Sequence, residues 1–278
     1  MTPRRDVWFL APSLAIVAVM LLAPMGLLLI ISFWSVRNFK LQPDLTLGAW
    51  ERFFVNYGGL TLYTLLIGIV TALLCVTIGM AFAYAARFKA GRYGDALVMI
   101  TMITLFGGYL VKIYAWKSIL GADGLFNQAL MKLGILDAPA PWLLYSRGAV
   151  VLTLMHFLLP FAILPLYAAL RNVSVVTLEA ARDLGATPTQ TFWRVVVPQC
   201  RAGLFAAFAF IFLLAAGDYV TPLLIGGTSG SMLGQFIALE FSTRFNWPAG
   251  AAMSFGLLGA SLLVLAAGRL LIARRERA

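Results

Sequence analysis

Six stretches of the chain are apolar for long enough to cross a bilayer: roughly Trp8–Phe33, Leu60–Ala86, Ala96–Lys117, Val150–Leu170, Gly203–Ile225 and Ala249–Ile272. A hydrocarbon core about 30 Å thick is spanned by about 20 residues of helix. The runs are continuous instead of alternating, which predicts helices and argues against the other spanning design, a closed β-barrel. The pattern therefore predicts an all-α integral membrane protein with six transmembrane helices. Residues 1–59 hold an N-terminal cytoplasmic stub, the first helix and an external loop. Residues 60–272 hold a five-helix core with a polar loop at 171–201, and residues 273–278 form a basic cytoplasmic tail.

Composition agrees, with 62% hydrophobic and only 12% charged residues. The net charge of +10 does not call for nucleic acid, because the cations sit at the ends of the apolar runs. Thirteen of the 21 Lys and Arg (Arg4, Arg5, Arg87, Lys89, Arg92, Arg171, Arg182, Arg194, Arg201, Arg269, Arg274, Arg275 and Arg277) fall on one side if the N-terminus is inside. The positive-inside bias places both termini in the cytoplasm, with arginines beside anionic headgroups of the lipid bilayer. The first run is too long for the apolar core of a cleaved signal and is expected to stay as a helix. Cys75 and Cys200 lie in or beside the inner half of the membrane and predict no disulfide.

The polar loop between the fourth and fifth runs has strong local signals. Thr177 is an expected N-cap with Glu179 in the first turn, and Gly185 stands where a left-handed C-terminal cap needs a residue without Cβ. Thr187 with Gln190 three residues later forms a capping box, with Pro188 at the first helical position. Leu178, Ala181 and Leu184 recur at a spacing of three and form a narrow apolar edge, opposite Glu179, Arg182 and Asp183. Such an edge suits a groove on another protein; a well-capped surface hairpin is the plainer reading.

The same residues carry a family resemblance. Glu179-Ala180-Ala181, three residues, Gly185, nine residues, then Val195, Val197 and Pro198 resembles the E-A-A…G…I-x-L-P coupling loop of ABC-importer permeases, with valines in place of Ile and Leu. Further likeness lies in Lys112-Ile113-Tyr114-Ala115-Trp116, Leu159-Pro160-Phe161, Gly217-Asp218-Tyr219-Val220-Thr221-Pro222 and Asn246-Trp247-Pro248, which are similar to the spermidine/putrescine branch. The resemblance implies the type I, binding-protein-dependent permease fold in a bacterial cytoplasmic (inner) membrane. It implies that Glu179, Ala180, Ala181, Arg182, Asp183, Gly185, Thr187 and Pro198 couple to an ABC ATPase dimer. A second permease subunit and an external substrate-binding protein are implied as well. The chain has no phosphate-binding G-x-x-x-x-G-K-[ST] loop, so it is expected to be no enzyme. It is expected to need no cofactor of its own, with ATP and magnesium on the partner ATPase and no metal site here.

Ionisable groups at membrane depth are costly and face cavities or partners. Lys112, Lys117, His156 and Asp218 qualify. The lysines can reach outward with their ammonium groups, and His156 is expected to be hydrogen-bonded between helices. Asp218 lies deep in the fifth run beside Tyr219 and just before Pro222; with Tyr109, Tyr114 and Trp116 it suits an organic cation on the substrate path. An ion pair with Lys112 or with an arginine of a neighbouring subunit is the structural alternative. Other readings of the whole chain are a secondary transporter or channel subunit, which would not need the capped loop, and an ABC importer for an opine, an aminophosphonate or ferric ion. A membrane enzyme lacks a supporting constellation, since the single histidine is unaccompanied.

Overall fold

The computed structural model describes residues 6–277, with side chains for residues 12, 13 and 15–270. Arg4 and Arg5, and the side chains of the basic tail, lie outside the described residues. In chain order the elements are α1 (Asp6–Ile31), β1 (Ser35–Arg37), β2 (Lys40–Gln42), α2 (Gly48–Phe88), α3 (Gly94–Ile103), α4 (Tyr109–Leu120) and α5 (Leu125–Lys132). They continue with α6 (Arg147–Arg171), α7 (Val175–Asp183), α8 (Pro188–Thr191), α9 (Val197–Gln199), α10 (Arg201–Ala216), α11 (Leu233–Ser242) and α12 (Trp247–Arg277).

Among the described residues, Gly48–Phe88, Arg147–Arg171 and Trp247–Leu270 are each long and apolar enough to cross a membrane; Ala15–Ile31 of α1 is apolar but shorter. Two more candidates are bent pairs, Gly91–Phe106 with Tyr109–Lys132 at 90° and Pro188–Gln199 with Arg201–Ala216 at 71°. In the three straight helices only 44%, 50% and 33% of the most apolar window is buried. Half or more of each window is thus not buried within the chain, which requires lipid or another subunit around these apolar helices.

Three of the sequence expectations shift. The third run is not one straight span: the adjacent Gly107 and Gly108 take extended backbone, and the chain turns there. The fifth run stops at Ala216 and resumes as a π-helical turn, Pro222–Gly226. The second helix begins at Gly48 instead of Leu60. The Thr46 hydroxyl accepts from the Gly48 N–H at 3.2 Å, and Glu51 occupies the first turn. Phe53 is then buried so closely against Gly256 of α12 that a Cβ there would meet the ring at 2.3 Å.

The residues expected as an external loop are in fact partly ordered by pairing. β1 and β2 form an antiparallel hairpin with Val36 opposite Leu41. Ser35 donates its N–H and its hydroxyl to Asp44 at 2.9 and 2.8 Å. The Ser35 bonds hold the Asp44 carboxyl below its ordinary range.

Two compact units can be described, each by itself: Met1–Thr61 with Phe236–Ala260, and Leu62–Gln235 with Ser261–Ala278. The larger unit is built on the packing of α6 against α10, where Ile163, Leu166, Leu170, Ile211 and Phe212 are fully buried.

Candidate functional site

The larger unit contains two built features, a capped helical hairpin and a junction of broken helices. The hairpin is α7–α8. Its first helix starts at Val175 with Ser174 in the N-cap position, so Thr177 is not the cap and Glu179 lies beyond the first turn. At its other end the expectation for Gly185 holds, with φ of +83°. The Gly185 N–H donates to the Arg182 carbonyl at 2.8 Å and the Ala186 N–H to the Ala181 carbonyl at 3.0 Å. This is the paired-bond termination that a left-handed residue permits. Two residues later the Thr187 N–H donates to Gln190 Oε1 at 2.9 Å and the Gln190 N–H to Thr187 Oγ1 at 3.3 Å, forming the capping box with Pro188 as the first helical residue. The angle between the two helices is thereby fixed from both sides.

The expected apolar edge divides. Leu178 is 4% exposed and packs inward, whereas Leu184 is 89% exposed. The outward surface instead carries Val176, Ala180, Asp183 and Leu184, with Glu179 and Arg182 also exposed and Ala181 half-buried. Residues 176, 180, 183 and 184 follow helical spacing, so they share one face. Behind the hairpin, Phe192–Val196 forms a π-helical turn just before Pro198. A proline supplies no N–H to the carbonyl four residues back and crowds it, which accounts for the local widening.

The second feature joins the two breaks. Asp218 follows the last turn of α10 and caps the resumed helix. Its Oδ1 accepts from the Val220 N–H and its Oδ2 from the Thr221 N–H, both at 3.2 Å. The Tyr109 hydroxyl, just past the Gly107–Gly108 break, donates to Oδ1 at 2.5 Å and lies 2.9 Å from Thr221 Oγ1. Two interruptions more than 100 residues apart are thus tied at one carboxylate. Three bonds fill three of about four acceptor positions on a carboxylate.

The structure groups only part of the expected aromatic set here. Tyr109 packs against Phe157 with ring centres 4.5 Å apart and planes tilted by 43°. Trp116 packs in the cluster around Ile113 and meets His156 edge-on at 5.7 Å. Tyr114 and Tyr219 are about half exposed, at 53% and 48%. His156 makes no hydrogen bond among the described residues; Trp116 is its contact. Lys112 forms no ion pair with Asp218, and its Nζ is buried without a hydrogen-bond partner, 5.5 Å from the centre of the Phe157 ring. The lysine was expected to reach outward; the Phe157 face holds it inside by a cation–π contact.

Thr221 and Gly234 are the members that sequence reading missed. An aspartate followed three residues later by threonine at a helix restart was the available signal for the first. Gly234 gave none: a Cβ there would stand 2.7 Å from the Asp218 carbonyl oxygen. Gly234→Ala is expected to push the cap off its helix and lower the melting temperature of the assembled protein. An unchanged melting curve would show that the junction yields freely.

No family model matches the chain. It is 37% identical over 188 residues to the spermidine/putrescine transport system permease protein PotB of Haemophilus influenzae, covering 68% of this chain and 65% of that protein. The chain therefore spans just under two thirds of that relative's length. It is 32% identical over 211 residues to PotB of Escherichia coli, covering 75% and 76%, and 31% identical over 237 residues to the E. coli inner membrane ABC transporter permease protein YdcU, covering 80% and 75%. The chain belongs to the ABC-importer permeases. Solved structures agree in fold. A chain of a bacterial ABC transporter involved in the import of the acidic polysaccharide alginate superposes with a TM-score of 0.71 at 15% identity, over 98% of this permease and 96% of that chain. The same transporter type in complex with an alginate pentasaccharide-bound periplasmic protein gives 0.69 at 16% identity, over 94% and 92%. The permease is accordingly a multi-pass helical membrane protein.

Proposed function

We propose that this permease forms half of the translocation pathway of an ATP-driven importer for polyamines or related small cationic amines. The observation that carries the reading is the α7–α8 hairpin. It presents exposed Glu179, Ala180, Arg182 and Asp183 at an angle held by two interlocked caps. A rigid, capped, exposed hairpin is what a membrane subunit without its own ATP site needs if the motion of an ATPase is to reach its helices. The ATPase dimer binds at α7, a second permease completes the pathway, and an external binding protein delivers the solute. The names of the relatives, spermidine/putrescine permeases at 32–37% identity, support the amine as cargo. The neighbour bound to a periplasmic protein supports the external partner.

At the junction, Asp218 and Tyr109 set the shape of the path, while the exposed rings of Tyr114 and Tyr219 meet the solute. The remaining acceptor position of Asp218 takes one N–H of an ammonium group. Trp116 supports α4 from within.

A cysteine placed at position 183 tests the coupling surface. On a background lacking the buried Cys75 and Cys200, Asp183→Cys should react with an impermeant maleimide only in inside-out vesicles. Bound ATPase should slow that reaction severalfold. Labelling from outside sealed cells, or no protection by the ATPase, would contradict the assignment.

A further inference from the structure

Within the larger unit, one face of α3 is exposed along its whole length. Tyr93, the residue before α3, and Leu97, Ile100 and Ile103 within it follow at spacings of four, three and three, which places them on one side of the helix, and all four are exposed. The other side is packed. Gly94 and Val98 are buried, and a Cβ at Gly94 would run into the Ala86 carbonyl oxygen of α2. The 10 residues of α3 rise about 15 Å at about 1.5 Å per residue, which is half of a hydrocarbon core about 30 Å thick. The exposed stripe is therefore one leaflet long. A cation marks its polar end: Arg92 donates to the Tyr93 hydroxyl at 2.7 Å, and its guanidinium lies 4.9 Å from the centre of that ring. Arg92 is itself exposed, as are Lys89 and Arg171. Asp95, the neighbouring acid, accepts from the Tyr167 hydroxyl at 2.7 Å, and Arg87 and Arg171 are close enough to act on that hydroxyl electrostatically. This is the end that the charge bias assigns to the cytoplasm.

We infer that this face holds one anionic phospholipid of the cytoplasmic leaflet, with its phosphate on Arg92 and an acyl chain along Leu97, Ile100 and Ile103. A guanidinium has five N–H donors in a planar fork, so the bond to Tyr93 leaves enough of them for a phosphate. The surplus of arginine and lysine at this end selects a lipid with net negative charge over a zwitterionic one. A second permease subunit laid on the same stripe would bury the Arg92 charge, at a desolvation cost that a headgroup at the membrane surface does not impose. The inference goes beyond the importer reading, because it rests on the length and charge of one helix face and holds whatever solute is carried.

The test titrates the assembled permease–ATPase complex, in detergent, with phosphatidylglycerol or with phosphatidylcholine of the same chains, and counts bound lipids by native mass spectrometry. The expected result is a tight phosphatidylglycerol site that phosphatidylcholine does not fill. Arg92→Gln should weaken it about fivefold, the effect of about one cation near a membrane surface. Lys132→Gln removes the same charge from an exposed position on α5 and should leave the site unchanged. Equal weakening in both variants, or none in Arg92→Gln, would overturn the inference. A second measurement addresses the stripe without disturbing the cation. On a background lacking Cys75 and Cys200, Ile100→Cys carrying a nitroxide should relax rapidly with dissolved oxygen in proteoliposomes of the whole complex, because oxygen concentrates among acyl chains. A nitroxide shielded from oxygen would show that the partner permease covers α3, and the lipid site would be rejected whatever the titration gives.

Discussion

Gly185→Val is expected to abolish substrate-stimulated ATP hydrolysis while the permease still inserts in the membrane. The reason is backbone conformation and not crowding: φ is +83° and nothing lies within 4 Å of where a Cβ would stand. A β-branched residue held in the left-handed region costs about 1–2 kcal/mol. Relief of that strain breaks the two bonds from Gly185 and Ala186 that end α7. The capping box begins at Thr187, so releasing the turn frees α7 from α8, and a loose hairpin cannot pass on a rigid-body motion. Gly185→Asn is the control, since asparagine tolerates this region far better, and should keep most of the stimulation. If valine and asparagine behave alike, the turn has no part in coupling. Glu179→Lys works differently. Glu179 is exposed and outside the first turn, so charge reversal should weaken ATPase association without lowering the melting temperature.

The second large effect is at Asp218. Asp218→Ala removes the acceptor from the Tyr109 hydroxyl and the Val220 and Thr221 N–H groups together. The hydroxyl keeps Thr221 Oγ1 2.9 Å away, but the two N–H groups lose their acceptor, at about 1–3 kcal/mol for each one left buried and unsatisfied, so assembled yield should fall. Asp218→Asn retains an oxygen of nearly equal N-cap quality and should preserve assembly. It lacks the charge that an ammonium group would meet, so amine uptake should fall at least about tenfold, the rate equivalent of about 1.4 kcal/mol. Tyr109→Phe leaves the cap bonds in place and should lower the melting temperature by less than Asp218→Ala. Full uptake by Asp218→Asn would reduce Asp218 to a cap alone.

Local chemistry explains what could be read from the chain. Gly185, Thr187, Pro188 and Gln190 act on backbone groups within a few residues, so their spacing suffices to place the turn. Apolar length likewise marks the helices whose environment is lipid. What failed depended on contacts made elsewhere. The start of α2 at Gly48 rests on Phe53 meeting Gly256, some two hundred residues away. The Gly107–Gly108 break was written in the sequence but was overridden by the apolar run around it. Ser174 displaced Thr177 at the head of α7, and the Leu178–Leu184 edge split because the packing behind α7 takes Leu178 and part of Ala181 but leaves Leu184 outside. The partners of Asp218 come from its own helix restart and from Tyr109, 109 residues earlier, and no periodicity reports such a pairing.

The central claim is that ATP hydrolysis on a separate subunit drives an amine through this permease by way of α7. Its most direct test is uptake of labelled putrescine by proteoliposomes holding the permease, its partner permease and the ATPase, with the binding protein outside and ATP enclosed. The account predicts accumulation that requires ATP and binding protein together and is lost in Gly185→Val. Accumulation driven by an ion gradient with no ATP, or undiminished in that variant, would contradict it.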